Sequence, residues 1–287
     1  MASGGRRTAR AIMRTVTVSR RTILGAGLAF AGAIVAGCSR TAQTVRGQSP
    51  APQTAPPTRT SAVPPTPESA TPGSSHASGR ASTSTPSGPA VEFASGPGTR
   101  NEVALTFHGA GDPAIARQLL AIFAAHHAKV TVLAVGTWLE AVPAIAREIV
   151  AGGHELGNHT YSHLDIDSLD AKTAQAEIVR CRDLLVSQVG SGGQLFRQSQ
   201  SQHATPLIRQ LAGAAGYPVC LSYDVDSLDY TDPGAAAVRR NVAAARAGSI
   251  VSMHFGHQGT VDAMPLVLGD LAARGLQPVT ATALLRS

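Results

Sequence analysis

The chain has 287 residues, with 24 basic and 18 acidic side chains and a formal net charge of +6 at neutral pH. Ten of the basic residues and one acidic residue precede residue 91, which leaves 14 basic and 17 acidic residues in the remainder. The C-terminal two thirds are therefore mildly acidic, and this argues against nucleic acid as a partner.

The N-terminal segment resembles a bacterial export signal. The paired Arg20 and Arg21 precede an apolar run over residues 25–37, which is too short for a stable membrane span. The pair resembles a twin-arginine signal, and the Val-Ala-Gly before Cys38 resembles the lipobox of bacterial lipoproteins. We therefore predict a signal peptide over residues 1–38 and an extracytoplasmic protein, lipid-anchored to the membrane through Cys38. The alternative is a cleaved, soluble secreted protein.

The next segment, residues 39–90, consists mostly of Ser, Thr, Pro, Ala, Gly and Gln. Such a segment cannot bury enough apolar surface to offset its ordering entropy, so we predict a disordered tether. A folded domain is then expected over residues 91–287. Within it, Cys181 and Cys220 lie in apolar patterns typical of small buried residues, although a disulfide between them is an alternative.

In that domain, short β-rich runs alternate with helical patterns. Strands are predicted at 103–107, 130–134, 195–196, 219–223, 250–253 and 278–279, with a further strand end at 154–158. Helices are predicted at 113–126, 139–151, 169–188, 203–215, 233–247 and 261–274. The alternation predicts an α/β fold with a parallel sheet closed into a distorted barrel, with functional residues at the carboxyl ends of the strands.

The segment from Gly153 to His163 reads Gly-His-Glu-Leu-Gly-Asn-His-Thr-Tyr-Ser-His. Its last two histidines, His159 and His163, are four residues apart and could share one face of a helical turn, an arrangement that binds a divalent metal. A surface turn that happens to carry two histidines is the simpler alternative. The preceding strand end and the glycines favour a functional loop between a strand and a helix.

This segment resembles the metal-binding motif of the polysaccharide deacetylase (NodB-homology) family of carbohydrate esterases. The similarity extends from about Val103 to Thr280, with the five family motifs in order. The resemblance implies a distorted (β/α) barrel of the NodB-homology type. It also implies that His159, His163 and a third group bind a divalent metal, for which zinc is expected, and that the protein hydrolyses N-acetyl groups of a polysaccharide.

The first family motif resembles Thr-Phe-Asp-Asp-Gly, in which the first Asp is the catalytic base and the second a metal ligand. This chain has His108 and Gly109 at those two positions. His108 can serve as a base near neutral pH, with Asp112 supplying the missing ligand. Alternatively, His108 completes a three-histidine metal site, or Asp112 only caps the helix that begins at Pro113.

The third motif keeps Arg197, which in the family orients the base, but lacks the prolines and tyrosine that usually follow. The main-chain N–H of Gln200 is the expected donor to the oxyanion. Alternatively, Arg197 forms a structural ion pair with Asp226 or Asp229.

The fourth and fifth motifs supply Asp229 and His254. In the family the histidine is the general acid, and Asp229 is expected to hold and polarise it. Arg197, Asp229, His108 and His254 are therefore the predicted catalytic residues.

A tethered lipoprotein meets the envelope glycans first, so peptidoglycan or a related polysaccharide is the expected substrate of a monomeric enzyme. The candidate side chains for sugar stacking are Trp138, Tyr161, Tyr230 and Phe255. Because two motifs are altered, a non-catalytic glycan-binding or wall-interaction protein is the main alternative. Hydrolysis of an O-acetyl ester or of a different amide by the altered site is a further alternative.

Overall fold

The computed structural model describes residues 88–286. The predicted signal peptide, the lipidation site at Cys38 and residues 39–87 of the predicted tether lie outside this range. The last residue assigned to the tether, Ala90, is already packed against the domain, since its N–H donates to the Arg209 carbonyl at 2.8 Å and the residue is buried. Within residues 88–286, no helix combines the length and the apolar character needed to cross a membrane.

Within the described residues, nine strands form one sheet in which all strand pairs are parallel. Their order is β1-β6-β5-β4-β3-β2-β8-β7, and β9 pairs with β2. The curled parallel sheet with its helices confirms the predicted distorted (β/α) barrel. The strands are β1 (Val91–Phe93), β2 (Glu102–Gly109), β3 (Thr131–Ala134), β4 (Glu155–Asn158), β5 (Leu195–Phe196), β6 (Val219–Leu221), β7 (Val225–Asp226), β8 (Ile250–His254) and β9 (Gln277–Val279).

The helices begin where the sequence supplies capping residues. Asp112, Asp170, Thr205 and Thr280 accept main-chain N–H groups at helix starts. The predicted helix 139–151 is two helices, because the residue before Pro143 leaves the helical region. The helices are α1 (Pro113–Ala125), α2 (Gly136–Ala141), α3 (Pro143–Ala151), α4 (Ala171–Val189), α5 (Pro206–Ala214), α6 (Ala235–Val242), α7 (Gln258–Ala273) and α8 (Ala281–Leu285).

Strand β2 shows how the fold positions the functional side chains. Its odd-numbered residues Val103, Leu105 and Phe107 are fully buried in the largest hydrophobic cluster. Side chains alternate along a strand, so Thr106 and His108 point to the opposite face. The parallel register places His108 beside His254 of β8.

The two cysteines of the domain are buried and unpaired. Burial raises the pKa of each thiol, Cys181 and Cys220, to about 12. Both therefore behave as small core side chains rather than as a disulfide.

Candidate metal-binding active site

The predicted functional residues lie at one edge of the sheet. His108 and His254 are at the ends of β2 and β8, while His159 and Arg197 directly follow β4 and β5. All these strands are parallel, so their carboxyl ends meet at the same edge, where α/β barrels carry their chemistry.

Three imidazoles form a cluster at this edge. One ring nitrogen from each of His108, His159 and His163 lies within 4.8 Å of the others. The Nε2 atoms of His159 and His163 are 3.1 Å apart. Two nitrogen ligands at zinc–nitrogen distances of about 2.0–2.1 Å in a tetrahedral site are separated by roughly 3.3 Å, so this spacing suits a shared metal ion.

The His159–His163 segment is not helical, in contrast to the shared helical face that the spacing suggested. It is an irregular loop in which Thr160 and His163 have φ angles of 65° and 57°. The Asn158 side chain accepts the Thr160 N–H at 2.8 Å, and Glu177 accepts the N–H groups of Tyr161 and Ser162. These two buried side chains hold the loop so that the two imidazoles meet. Neither side chain was predicted from the sequence to have this role.

The protonation of the cluster suits a metal. The Nδ1 atom of His159 lies 3.0 Å from the Arg197 main-chain carbonyl, which can only accept, so Nδ1 carries the proton and Nε2 keeps its lone pair. Burial holds the pKa of His108 and of His159 well below the ordinary value, and neighbouring imidazoles lower both further. Burial also lowers the pKa of His163. Neutral imidazole is the form that binds zinc, so the donor set fits this ion.

Asp112 does not belong to this cluster. Its exposed side chain accepts the Ala114 N–H at 2.8 Å as the cap of α1, whereas the metal-competent group consists of three histidines. The structure therefore supports the cap for Asp112 and the third-ligand alternative for His108, and it gives no support to Asp112 as a ligand.

The ligand position of the family's first motif, which is Gly109 in this chain, also has no space for a side chain. A Cβ on Gly109 would lie 2.9 Å from Val132 Cγ1 and 3.0 Å from Ala134 Cα. A carboxylate side chain there would require the neighbouring strand to move. The packing therefore leaves no room for an acidic side chain at position 109, and the third imidazole of the cluster is that of His108.

Arg197 is fully buried, but it forms no ion pair among the described residues. Its guanidinium donates to main-chain and hydroxyl oxygens, including the Leu221 carbonyl at 2.7 Å and the Thr106 hydroxyl at 2.9 Å. Burial lowers its pKa to about 10. Arg197 therefore forms no ion pair with Asp226 or Asp229 in the described residues. It contacts the cluster through its main-chain carbonyl, which accepts a hydrogen bond from His159 Nδ1.

His254 and Asp229 form the second part of the site. His254 Nδ1 lies 2.7 Å from one carboxylate oxygen of Asp229, and the His254 main-chain N–H and the Thr260 hydroxyl donate to the other. Burial acts to raise the pKa of Asp229, but the hydrogen bonds from His254 and Thr260 outweigh it and the net shift is downward. The carboxylate therefore stays ionised and fixes the imidazole. Thr260 was not identified from the sequence.

An open cavity of about 420 Å³ joins the two parts. Its lining includes His108, His163, Gln200, Ser252 and His254, and also Tyr223, Asp226 and Tyr230. Gln200 has a φ of 60°, its side chain donates to the His163 carbonyl at 2.9 Å, and the residue lines the cavity.

Of the four aromatic residues predicted to stack on sugar, one is accessible. Tyr230 is 49% exposed and its ring lies 5.3 Å from that of His254. Trp138, Tyr161 and Phe255 are buried, so the prediction is wrong for these three. Their apolar rings pack in the core, a role that a sequence pattern alone does not separate from ligand stacking.

The fold and site define a (β/α) barrel protein with a candidate metal site and an adjacent His–Asp pair at the carboxyl edge. Residues 95–220 match the family model described as polysaccharide deacetylase. A chitooligosaccharide deacetylase from Rhizobium leguminosarum bv. trifolii is 30% identical over 183 residues, which cover 63% of this chain and 81% of that protein. The chain belongs to the polysaccharide deacetylase family.

Other proteins are similar to this chain in sequence or in fold. A peptidoglycan-N-acetylglucosamine deacetylase from Bacillus cereus is 29% identical over 192 residues, or 65% of this chain and 69% of that protein. A solved peptidoglycan N-acetylglucosamine deacetylase superimposes with a TM-score of 0.64 at 25% identity, covering 68% of this chain and 92% of the other. A pseudoenzyme of the same carbohydrate esterase family, CE4, from Bacillus anthracis shares the fold, with a TM-score of 0.65 at 21% identity over 68% and 69% of the two chains.

Proposed function

We propose that this protein is a metal-dependent deacetylase that removes N-acetyl groups from an envelope glycan, either peptidoglycan or a related polysaccharide. The observation that carries this proposal is the neutral three-histidine cluster beside the His254–Asp229 pair at one cavity. Zinc is the proposed ion, because three imidazoles with one open position are a common catalytic zinc site.

The chemistry divides between the ion and the chain. A divalent metal at the cluster would polarise the acetyl carbonyl and lower the pKa of a water molecule. His254, held by Asp229, is placed to protonate the departing sugar nitrogen. The main-chain N–H of Gln200, on the loop that contacts His163, is the proposed additional donor to the oxyanion.

The cavity also fits a sugar chain as the substrate. It is open on one side, and Tyr230 presents an exposed ring beside His254. Aromatic rings of this kind stack on the apolar faces of sugars. The named relatives act on peptidoglycan N-acetylglucosamine and on chitooligosaccharides, and this supports an N-acetylated amino sugar. A monomer suffices, since all the proposed groups come from one chain.

The test is acetate release by the zinc-loaded protein from N-acetylated peptidoglycan and from a chitooligosaccharide, with His163→Ala as the inactive control. Release by wild type that the variant and a chelator both abolish supports the proposal. Wild-type protein that binds zinc but releases no acetate from either glycan contradicts it. If that protein still co-sediments with peptidoglycan, the glycan-binding alternative replaces the enzyme.

We also propose that the protein is lipid-anchored through Cys38 on the outer face of the membrane, on the basis of the lipobox-like Val-Ala-Gly-Cys. Cys38→Ala should move the protein from the detergent phase to the aqueous phase in detergent partitioning, because the acyl chains are lost. Unchanged partitioning of the variant would contradict the anchor.

A further inference from the structure

The cluster leaves the base of the reaction unassigned, because His108 fills the position of the family's base and also contributes to the metal-competent group. We propose that His254 performs both proton transfers, first as the general base toward the attacking water and then as the general acid toward the leaving nitrogen. This inference rests on the proposed function and assigns a second role to one of its residues.

His108 cannot act as a base while it binds a metal. A neutral imidazole has one lone pair and one N–H, so a ring that gives its lone pair to a metal keeps only a donor. The position of His108 is also fixed, since its Nε2 lies 3.3 Å from the Ser252 hydroxyl and its ring centroid lies 4.3 Å from that of His159.

His254 keeps one free nitrogen at the cavity. Its Nδ1 is engaged by Asp229, whose carboxylate also accepts the His254 main-chain N–H and the Thr260 hydroxyl. The side chain of His254 is 21% exposed and its ring centroid lies 4.3 Å from that of His108. The Nε2 lone pair is therefore the basic site next to the cluster, and the buried Asp229 stabilises the imidazolium that forms.

The cavity contains one other candidate base, the carboxylate of Asp226. One of its oxygens accepts the Leu228 N–H at 2.9 Å in a local turn. Among the described residues, no side chain forms a hydrogen bond that orients this carboxylate toward the cluster. The imidazole of His254 is held by Asp229, and that carboxylate is itself fixed by the His254 main-chain N–H and the Thr260 hydroxyl, so the geometry favours His254 over Asp226.

The proposed cycle neither gains nor loses a proton, because the proton taken from water is passed on to the sugar nitrogen. Water attacks the acetyl carbon while one of its protons passes to His254 Nε2, which gives a tetrahedral intermediate. The C–N bond then breaks as the same proton passes from Nε2 to the sugar nitrogen. The products are acetic acid, which ionises in water, and the free amine, and His254 returns to its neutral form.

A pair of substrates separates the two roles. N-acetylated glycan needs both transfers, whereas 4-nitrophenyl acetate releases a leaving group that needs no proton. If His254 has both roles, His254→Gln lowers kcat/KM by about a hundredfold or more on each substrate, the usual effect of losing a positioned acid or base. Retention of ester hydrolysis within a few-fold of wild type, with loss on the glycan alone, would limit His254 to the acid role and overturn the inference.

His257→Gln is the matched control. The ring of His257 lies 6.0 Å from that of His254, and its Nδ1 pairs with Asp232 rather than with the cluster. This variant should keep both activities, and both variants should keep wild-type zinc content. Ester hydrolysis that is lost in Asp226→Asn but kept in His254→Gln would assign the base to Asp226 and overturn the inference.

The outcomes also separate this inference from the proposed function. Wild-type protein that hydrolyses the ester but not the glycan would refute N-deacetylation, and the ester measurements on His254→Gln would still decide the base. Wild-type protein that hydrolyses neither substrate would refute both.

Discussion

The role of Asp112 can be decided by replacing its carboxylate with an amide. The side chain is exposed and accepts the Ala114 N–H at 2.8 Å at the start of α1. An amide oxygen can accept the same bond, so Asp112→Asn should change the free energy of unfolding by less than about 0.5 kcal/mol, whereas Asp112→Ala should lose about 1 kcal/mol. Neither change should alter the dissociation constant for zinc by more than about twofold, since the three ligands are histidines.

The assay combines urea unfolding with competition for zinc against a chromophoric chelator. Asp170→Asn is the matched control, because Asp170 caps α4 in the same way through the N–H groups of Lys172 and Thr173. A zinc affinity that falls more than about a hundredfold in Asp112→Asn but not in Asp170→Asn would refute the three-histidine site. Loss of a supporting group outside the ligands costs only about 10–100-fold, so a larger loss indicates a direct ligand.

Three further predictions concern other groups. His163→Ala should remove most of the bound zinc without unfolding the domain, because this partly exposed imidazole is one of three ligands, and metal content equal to wild type would contradict the cluster. Ser252→Ala should weaken zinc binding by about tenfold through loss of the contact that orients His108, as measured by chelator competition. Burial, with a contribution from Lys129, lowers the pKa of His154 to about 4 from an ordinary 6.5, so the unfolded chain binds that proton more tightly. The contribution of neutral His154 to the free energy of unfolding is therefore fully present above about pH 6.5. It is lost as the pH falls toward 4, by up to about 3 kcal/mol. His154→Gln should flatten this decline in urea unfolding, and an unchanged decline would contradict it.

The barrel was predictable because its elements are encoded locally. The apolar run ending at Phe107 and the run from Ile250 gave strands β2 and β8, and capping residues such as Asp112 and Asp170 marked helix starts. Strands β1 and β7 were not predicted, although β5, which is as short as β7, was. Runs of two or three residues carry too little periodicity for a consistent assignment.

The site was predictable in its residues but not in its geometry. The order of the motifs gave His159, His163 and His254, yet their spacing suggested a helical turn where the structure has a loop held by Asn158 and Glu177. Those contacts join residues that are distant in sequence or lie in irregular backbone. The spacing of apolar and polar residues along the chain therefore does not predict them.

The choice between Asp112 and His108 as the third ligand also required the structure. It depends on the path of the loop after β2, which Trp138 fixes by donating to the Gly111 carbonyl at 2.9 Å, and on the lack of space at Gly109. Neither fact follows from the sequence of the loop itself.

The most direct measurement is anomalous diffraction at the zinc edge from crystals of the zinc-loaded protein. We expect one strong peak about 2.0–2.1 Å from a nitrogen of each of His108, His159 and His163, with Asp112 still bound to the Ala114 N–H. A peak coordinated by Asp112 with His108 left free, or the absence of a peak at His159 and His163, would contradict the three-histidine metal site.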